Sequence, residues 1–159
     1  MSPLANAYLT AAHLQQMESF YPLHAWVCSA CFLVQLQEFE SPERIFSDYA
    51  YFSSYSDTWI EHARVYTNAV VERFGLGPEH RAVEIASNDG YLLRHLVDKG
   101  IPVLGIEPAR NVAEVAEAAG VPTLVAFFGV ATARELAGRE QRRRPARRQQ
   151  RARPRARPE

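Results

Sequence analysis

Between residues 82 and 136 the chain alternates three times between a short apolar run and a segment of helical spacing. That alternation leaves few folds open. Runs 82–86, 102–106 and 122–127 read as strands, too short and too β-branched for buried helices. Segments 91–99 and 111–119 read as amphipathic helices stopped by Gly100 and Gly120, and a third begins at 129–136. Strands joined by helical crossovers of about a dozen residues can pair only in parallel, which predicts an α/β unit of Rossmann type.

In such a sheet the loop after the first strand lies at the carboxyl edge, where ligands bind. Here that strand carries one acid, Glu84, and runs into Ser87, Asn88, Asp89 and Gly90. Gly90 permits close approach of the backbone to a ligand, and the three residues before it offer short polar groups. Seventeen residues further on, the second strand ends in Gly105-Ile106-Glu107-Pro108. An acid at that position is placed to accept hydrogen bonds from two ribose hydroxyls. The loop is not G-x-G-x-x-G, which argues against a pyrophosphate, since that group needs several close backbone N–H donors. An adenosyl group without phosphates suits the side-chain polarity better and points to S-adenosylmethionine. The plainer alternative is a parallel unit with no such ligand.

The N-terminal part is a different kind of sequence. Segments 21–27 and 32–36 read as two strands flanking Cys28-Ser29-Ala30-Cys31. A CxxC at a tight turn aims two thiolates at one metal, as in half of a zinc ribbon. Structural zinc needs four ligands and the chain has no other cysteine. His13 and His24 are the remaining candidates nearby, and unmetallated or redox thiols are the alternatives. Residues 41–57 are dense in hydroxyls and rings, among them Tyr49, Tyr51, Phe52, Ser53, Ser54 and Tyr55. Such a cluster suits the pocket of a polar, ring-shaped ligand, or else pins a linker to the next domain. Residues 58–75 read as a helix capped by Asp57 or Thr58. Its apolar face comprises Trp59, Ala63, Tyr66, Val70 and Phe74, and Gly75 stops it.

Composition matters mainly through its unevenness. The net charge is zero, yet residues 1–138 hold 8 basic against 16 acidic side chains, and residues 139–159 hold 10 Arg against 2 Glu. The tail, 138–159, contains no aliphatic or aromatic residue larger than Ala, and is expected to be disordered. Three readings of it compete: an out-of-frame product of a G+C-rich gene, an inert tail, or a nucleic-acid-binding arm. The scarcity of lysine in the body, which has only Lys99, favours the first, and nucleic acid is not expected as a partner. No run approaches the roughly 20 apolar residues of a membrane span, and no secretory pattern opens the chain, so a cytoplasmic protein is expected.

Several strings together resemble a known family in order and spacing: residues 2–9 (SPLANAYL), 21–24 (YPLH), 28–36 (CSACFLVQL), 48–56 (DYAYFSSYS), 83–93 (VEIASNDGYLL) and 105–109 (GIEPA). They resemble the class I SAM-dependent methyltransferases with an N-terminal zinc-binding module. That family includes C-methyltransferases acting on nucleotide-linked deoxy-keto-sugars. The resemblance covers about residues 2–137 and implies a zinc module with two CxxC pairs, a SAM domain and a further domain of similar fold. It implies Cys28 and Cys31 as metal ligands, and Glu84, Ser87, Asn88, Gly90 and Glu107 around SAM. It places Tyr49, Tyr51 and Tyr55 beside the keto-sugar, holding or polarising the ketone. Methyl transfer in the family goes to an enolate carbon, with a histidine of a later segment as base.

On that reading the chain is an amino-terminal fragment, inactive as it stands. Its regions are 1–40 (partial zinc module), 41–57 (aromatic loop), 58–137 (first half of the SAM domain) and 138–159 (tail). O- or N-methylation, or cofactor binding without turnover, are the alternatives. Three parallel strands without their usual neighbours leave an apolar edge open. Sedimentation should therefore find self-association at micromolar concentration, and a monodisperse, cooperatively melting monomer would contradict the fragment reading.

Overall fold

The computed structural model describes residues 1–139. They fall in two compact units, Met1–Val125 and a second that begins at Ala126. In the first, β1 (Ala25–Val27) and β2 (Val34–Leu36) form an antiparallel hairpin, with Ala25 opposite Leu36 and Val27 opposite Val34. A short helix α1 (Pro42–Phe46) follows, its first turn capped by the Ser41 hydroxyl, which accepts the Arg44 N–H. Then come α2 (Asp57–Phe74), β3 (Ala82–Ile85), α3 (Arg94–Val97), β4 (Val103–Ile106), α4 (Arg110–Ala118) and β5 (Thr123–Leu124). The second unit contains a helix, α5, over 130–139. The expectation for the tail lies outside the described residues from 140 onward.

β3, β4 and β5 form a parallel sheet in that spatial order, so the alternation read from the sequence yields the expected α/β arrangement. Register places Ala82 beside Val103 and Glu84 beside Gly105, on one face, with Val83 and Ile85 on the other. The first face meets the core. Leu93, Leu96, Ile101, Val103, Ala116 and Val121 are all buried, with Val71, Leu76, Ala82, Leu92 and Val97 packed around them. On the other face Val83 and Ile85 are about half exposed (51% and 54%). Among the described residues β3 has no second strand on its outer side.

α2 begins one residue earlier than expected because Ser56, not Asp57 or Thr58, is the cap: its hydroxyl accepts the Trp59 N–H at 3.3 Å. Its buried stripe also differs. Ala63 and Thr67 face inward, whereas Trp59, Tyr66 and Phe74 remain substantially exposed. Thr67 tolerates burial because its hydroxyl donates to the Ala63 carbonyl at 2.9 Å, leaving no unpaired polar atom. Only four residues of the expected helix 91–99 are α-helical, since several of its bonds span three residues (His95 to Leu92, Leu96 to Leu93) rather than four.

Two glycines with positive φ separate the roles of conformation and space. Gly90 has φ +74, and a Cβ there would meet Val121 Cγ2 at 2.9 Å; Gly120 has φ +83 with nothing within 4 Å. Gly120→Ala should therefore cost about 1 kcal/mol, the conformational term alone. Gly90→Ala should cost about 2–4 kcal/mol, because overpacking adds to it. Urea denaturation of the two variants measures the difference, and equal losses would remove the packing argument.

Candidate functional site

The carboxyl ends of β3 and β4 meet at a loop with unusual backbone. Ala86 (φ 57), Asn88 (φ 50) and Gly90 (φ 74) all lie in the left-handed region, alternating with ordinary residues. Such a left-handed, alternating path is easiest for glycine; here only the last position has one, and Asn tolerates it far better than Ala. The sequence reading rejected a glycine-rich loop from its letters and missed that the backbone follows an x-G-x-G-like path through Ala and Asn. The fold holds it in place: Ser87 N–H donates to the Ile106 carbonyl at 3.2 Å and Gly90 N–H to the Ser87 carbonyl at 3.1 Å.

Glu107 is the main fastener. It follows β4 directly and is almost fully buried. Its Oε2 accepts the Asn88 N–H and its Oε1 the Ala109 N–H, each at 2.9 Å. One carboxylate thus ties the strained loop to the residue that opens α4, where the positive end of the helix dipole favours it. Each oxygen keeps one lone-pair direction for a further donor.

Three buried oxygens beside this loop have no partner among the described residues: Glu84 Oε2, Ser87 Oγ and Asp89 Oδ1. An unpaired buried polar atom is costly, and of the four among the described residues (the other is His95 Nε2) three lie within residues 84–89. The Glu84 carboxyl is pushed up to about 7 by burial. The Tyr91 phenol is raised as well, first by burial and then by the neighbouring Glu84. Trp59 packs against Tyr91 at 6.0 Å between ring centroids and against His62 at 5.3 Å.

The three tyrosines singled out in the sequence lie on one segment but in different settings. Tyr49 is partly buried and within 5.9 Å of the Phe46 ring; its hydroxyl accepts from Asn6 Nδ2 at 3.4 Å. Tyr51 is half exposed, and Tyr55, on a single 3-10 turn (Ser53–Tyr55), is 93% exposed. The backbone of this segment docks on the loop. Asn88 Oδ1 accepts the Ser53 N–H at 2.8 Å, Asn88 Nδ2 donates to the Tyr51 carbonyl at 3.2 Å, and Asp89 Oδ2 accepts the Ser54 N–H at 2.9 Å and its hydroxyl. The structure thus brings Glu84, Ser87, Asn88, Gly90 and Glu107 to one edge, with the Asn88 side chain committed to the aromatic segment. Sequence reasoning assigned no role to Asn111, whose partner Tyr49 is 62 positions away; nothing local announces such a pairing.

Cys28 and Cys31 sit at the tip of the β1–β2 hairpin, closed by Cys28 N–H to the Leu33 carbonyl (3.0 Å) and Phe32 N–H to the Cys28 carbonyl (2.9 Å). The backbone N–H of Cys31, then that of Ala30, then the Cys31 thiol hold the Cys28 thiol below its ordinary value. That favours the thiolate a metal needs. Among the described residues no group of three or more His, Cys, Asp or Glu side chains converges to complete a site. His13 and His24 therefore do not complete it, and the donors present fit half of a tetrahedral zinc centre. No residue between 1 and 46 is buried, so this module has no apolar core of its own.

Residues 1–46 match the family described as "Putative zinc binding domain". Over 138 residues the chain is 36% identical to C-methyltransferase NovU of Streptomyces niveus, an alignment covering 87% of this chain and 33% of that protein. The chain therefore spans about a third of the length of the relative it matches. The N-terminal half of the sequence resemblance thus meets a zinc-binding family model, and the chain as a whole is similar to part of a C-methyltransferase. No helix among the described residues is long and apolar enough to cross a membrane.

The raised Glu84 carboxyl makes stability depend on pH in a definite direction. The folded chain holds this proton more tightly than the unfolded one, so the contribution is full below pH 4.5 and is lost as pH rises toward 7. Urea unfolding at pH 5 and pH 8 should show wild type losing on the order of 2 kcal/mol relative to Glu84→Gln, a discounted figure for a half-buried group. Parallel pH profiles for the two proteins would refute the assignment.

Proposed function

We propose that this chain carries the cofactor-binding edge of a SAM-dependent C-methyltransferase, with a nucleotide-linked deoxy-keto-sugar as acceptor. The observation that carries the reading is the left-handed loop at residues 86, 88 and 90 beside the unpaired oxygens of Glu84, Ser87 and Asp89. It lies at the carboxyl edge of a parallel sheet, where Rossmann-like folds bind nucleosides. The similarity to a C-methyltransferase supports the same chemistry.

The residues present fit the cofactor. Glu107 has lone pairs left for ribose hydroxyls, and Ser87 and Glu84 offer the remaining polar atoms. Gly90, expected from the sequence to let the backbone approach a ligand, instead makes room for Val121 and holds the turn of the loop. When bound, SAM supplies an electrophilic methyl group. The chain's own part is to bind and orient: Tyr49, Tyr51 and Tyr55 lie on the segment that docks on the loop, and their rings would pack against the sugar. A tyrosine hydroxyl would hold the ketone oxygen as carbanion character develops beside it. Cys28 and Cys31 would hold zinc with two further ligands, stapling a module that has no core to stabilise it.

A second reading, cofactor binding without turnover, draws on one observation. The five histidines, His13, His24, His62, His80 and His95, all lie outside both the aromatic segment and the loop. A general base must come within hydrogen-bond reach of the proton it removes. Self-association through the open β3 edge, as expected from the sequence, accompanies either reading.

Ser87→Ala separates ligand binding from folding. Removing a buried hydroxyl with no partner should leave stability unchanged or raise it by about 1 kcal/mol. Calorimetric titration should nevertheless show SAM binding about 5–10-fold weaker, equivalent to about 1 kcal/mol. Unaltered affinity, or no binding heat with wild type, would overturn the cofactor assignment; methyl transfer to a keto-sugar nucleotide would exclude the non-catalytic reading.

A further inference from the structure

The segment that bears Tyr49, Tyr51 and Tyr55 is fastened to the loop and to α4 through its backbone atoms and the Ser54 hydroxyl. Asn88 and Asp89 take the Tyr51 carbonyl and the N–H groups of Ser53 and Ser54. Asn111, in the first turn of α4, grips a single residue from both sides: its Oδ1 accepts the Tyr49 N–H at 3.1 Å and its Nδ2 donates to the Tyr49 carbonyl at 2.8 Å. The Arg110 N–H adds a bond to the Ser47 carbonyl at 3.3 Å. Asp89 is fully buried and Asn88 nearly so, and hydrogen bonds to a carboxylate in a water-poor setting are the strong ones. Because these contacts use main chain and the Ser54 hydroxyl on the segment side, they consume no tyrosine ring or hydroxyl; the Tyr49 hydroxyl accepts from Asn6 instead.

We propose that Asn88, Asp89 and Asn111 are positioning residues that couple the two halves of the site: what occupies the 86–90 loop sets the placement of the aromatic segment. This rests on the cofactor reading of the loop given above. The physical route is short. Asn88 is held by its N–H on Glu107 and by its side chain on residues 51 and 53, in a left-handed conformation that leaves it little freedom. A ligand that fixes the loop backbone therefore fixes the side-chain clamp with it. By linkage, ordering the segment must favour the ligand to the same degree. A mere linker attachment would give the same bonds in both states, with no dependence on the ligand.

The test is amide hydrogen exchange by NMR on the full chain, with and without S-adenosylhomocysteine. The expected result is slowing of at least ten-fold at Tyr49, Ser53 and Ser54, together with Ser87 and Asn88. In Asn111→Ala the loop should still slow while Tyr49 no longer does, and affinity for S-adenosylhomocysteine should fall about five-fold. Asn111→Asp, which keeps the acceptor for the Tyr49 N–H, should restore part of both. Slowing confined to residues 86–90 overturns the coupling and leaves the cofactor reading intact. No calorimetric binding and no slowing anywhere overturns both. Should Asn111→Ala not fold, the wild-type comparison decides alone.

Discussion

The carboxylate of Glu107 holding the Asn88 N–H is the contact on which the rest of the site depends. It joins the end of one strand to the turn after the other and to the start of α4. Without it, a loop with non-glycine residues at positive φ has little to offset its conformational cost, of order 1 kcal/mol for Ala86. With it, the loop is held at the sheet edge beside the unpaired oxygens of Glu84, Ser87 and Asp89. The Asn88 side chain and the second Asp89 oxygen then anchor the aromatic segment. One acid thereby organises both sides of the candidate site.

The two parts of the first unit rest on different physics. Around Leu93, Leu96, Val103 and Val121 the sheet and helices bury apolar side chains, each stabilising the fold by about 1.5–3 kcal/mol. The hairpin module buries none, and a two-stranded hairpin by itself is marginal in water. Its regular feature is the CxxC knuckle, with N–H groups turned toward the Cys28 sulfur. A metal is the stabilising element that such an arrangement suits, which agrees with the zinc-binding family matched by residues 1–46.

Legibility in the sequence followed the range of the interactions. Strand–helix alternation, the stops at Gly100 and Gly120 and the hairpin around Cys28 and Cys31 are local, and each was readable to within a few residues. The buried stripe of α2 was not, because apolar residues exceed the surface available to cover them. Trp59, Tyr66 and Phe74 fit the periodicity as well as Ala63 does, yet stay exposed, while Thr67 is buried by pairing its own hydroxyl. The loop was half legible: its polar residues and the acid in register could be named, but its path could not, since Ala86 gives no sign of a left-handed conformation.

What the sequence by itself determined is the parallel α/β order, the position of Glu84 within the first strand and of Glu107 just after the second, and the paired thiols of the hairpin. Periodicity and turn chemistry act over a few residues, and those features need no more. Only the tertiary structure decided that Asn88 and Asp89 face the aromatic segment, that Asn111 holds Tyr49, and that Glu107 is spent partly on the chain's own backbone. Those contacts join residues 19 to 62 positions apart. A hydrogen bond across such a separation exists only once the sheet has placed both partners, so no local pattern can announce it.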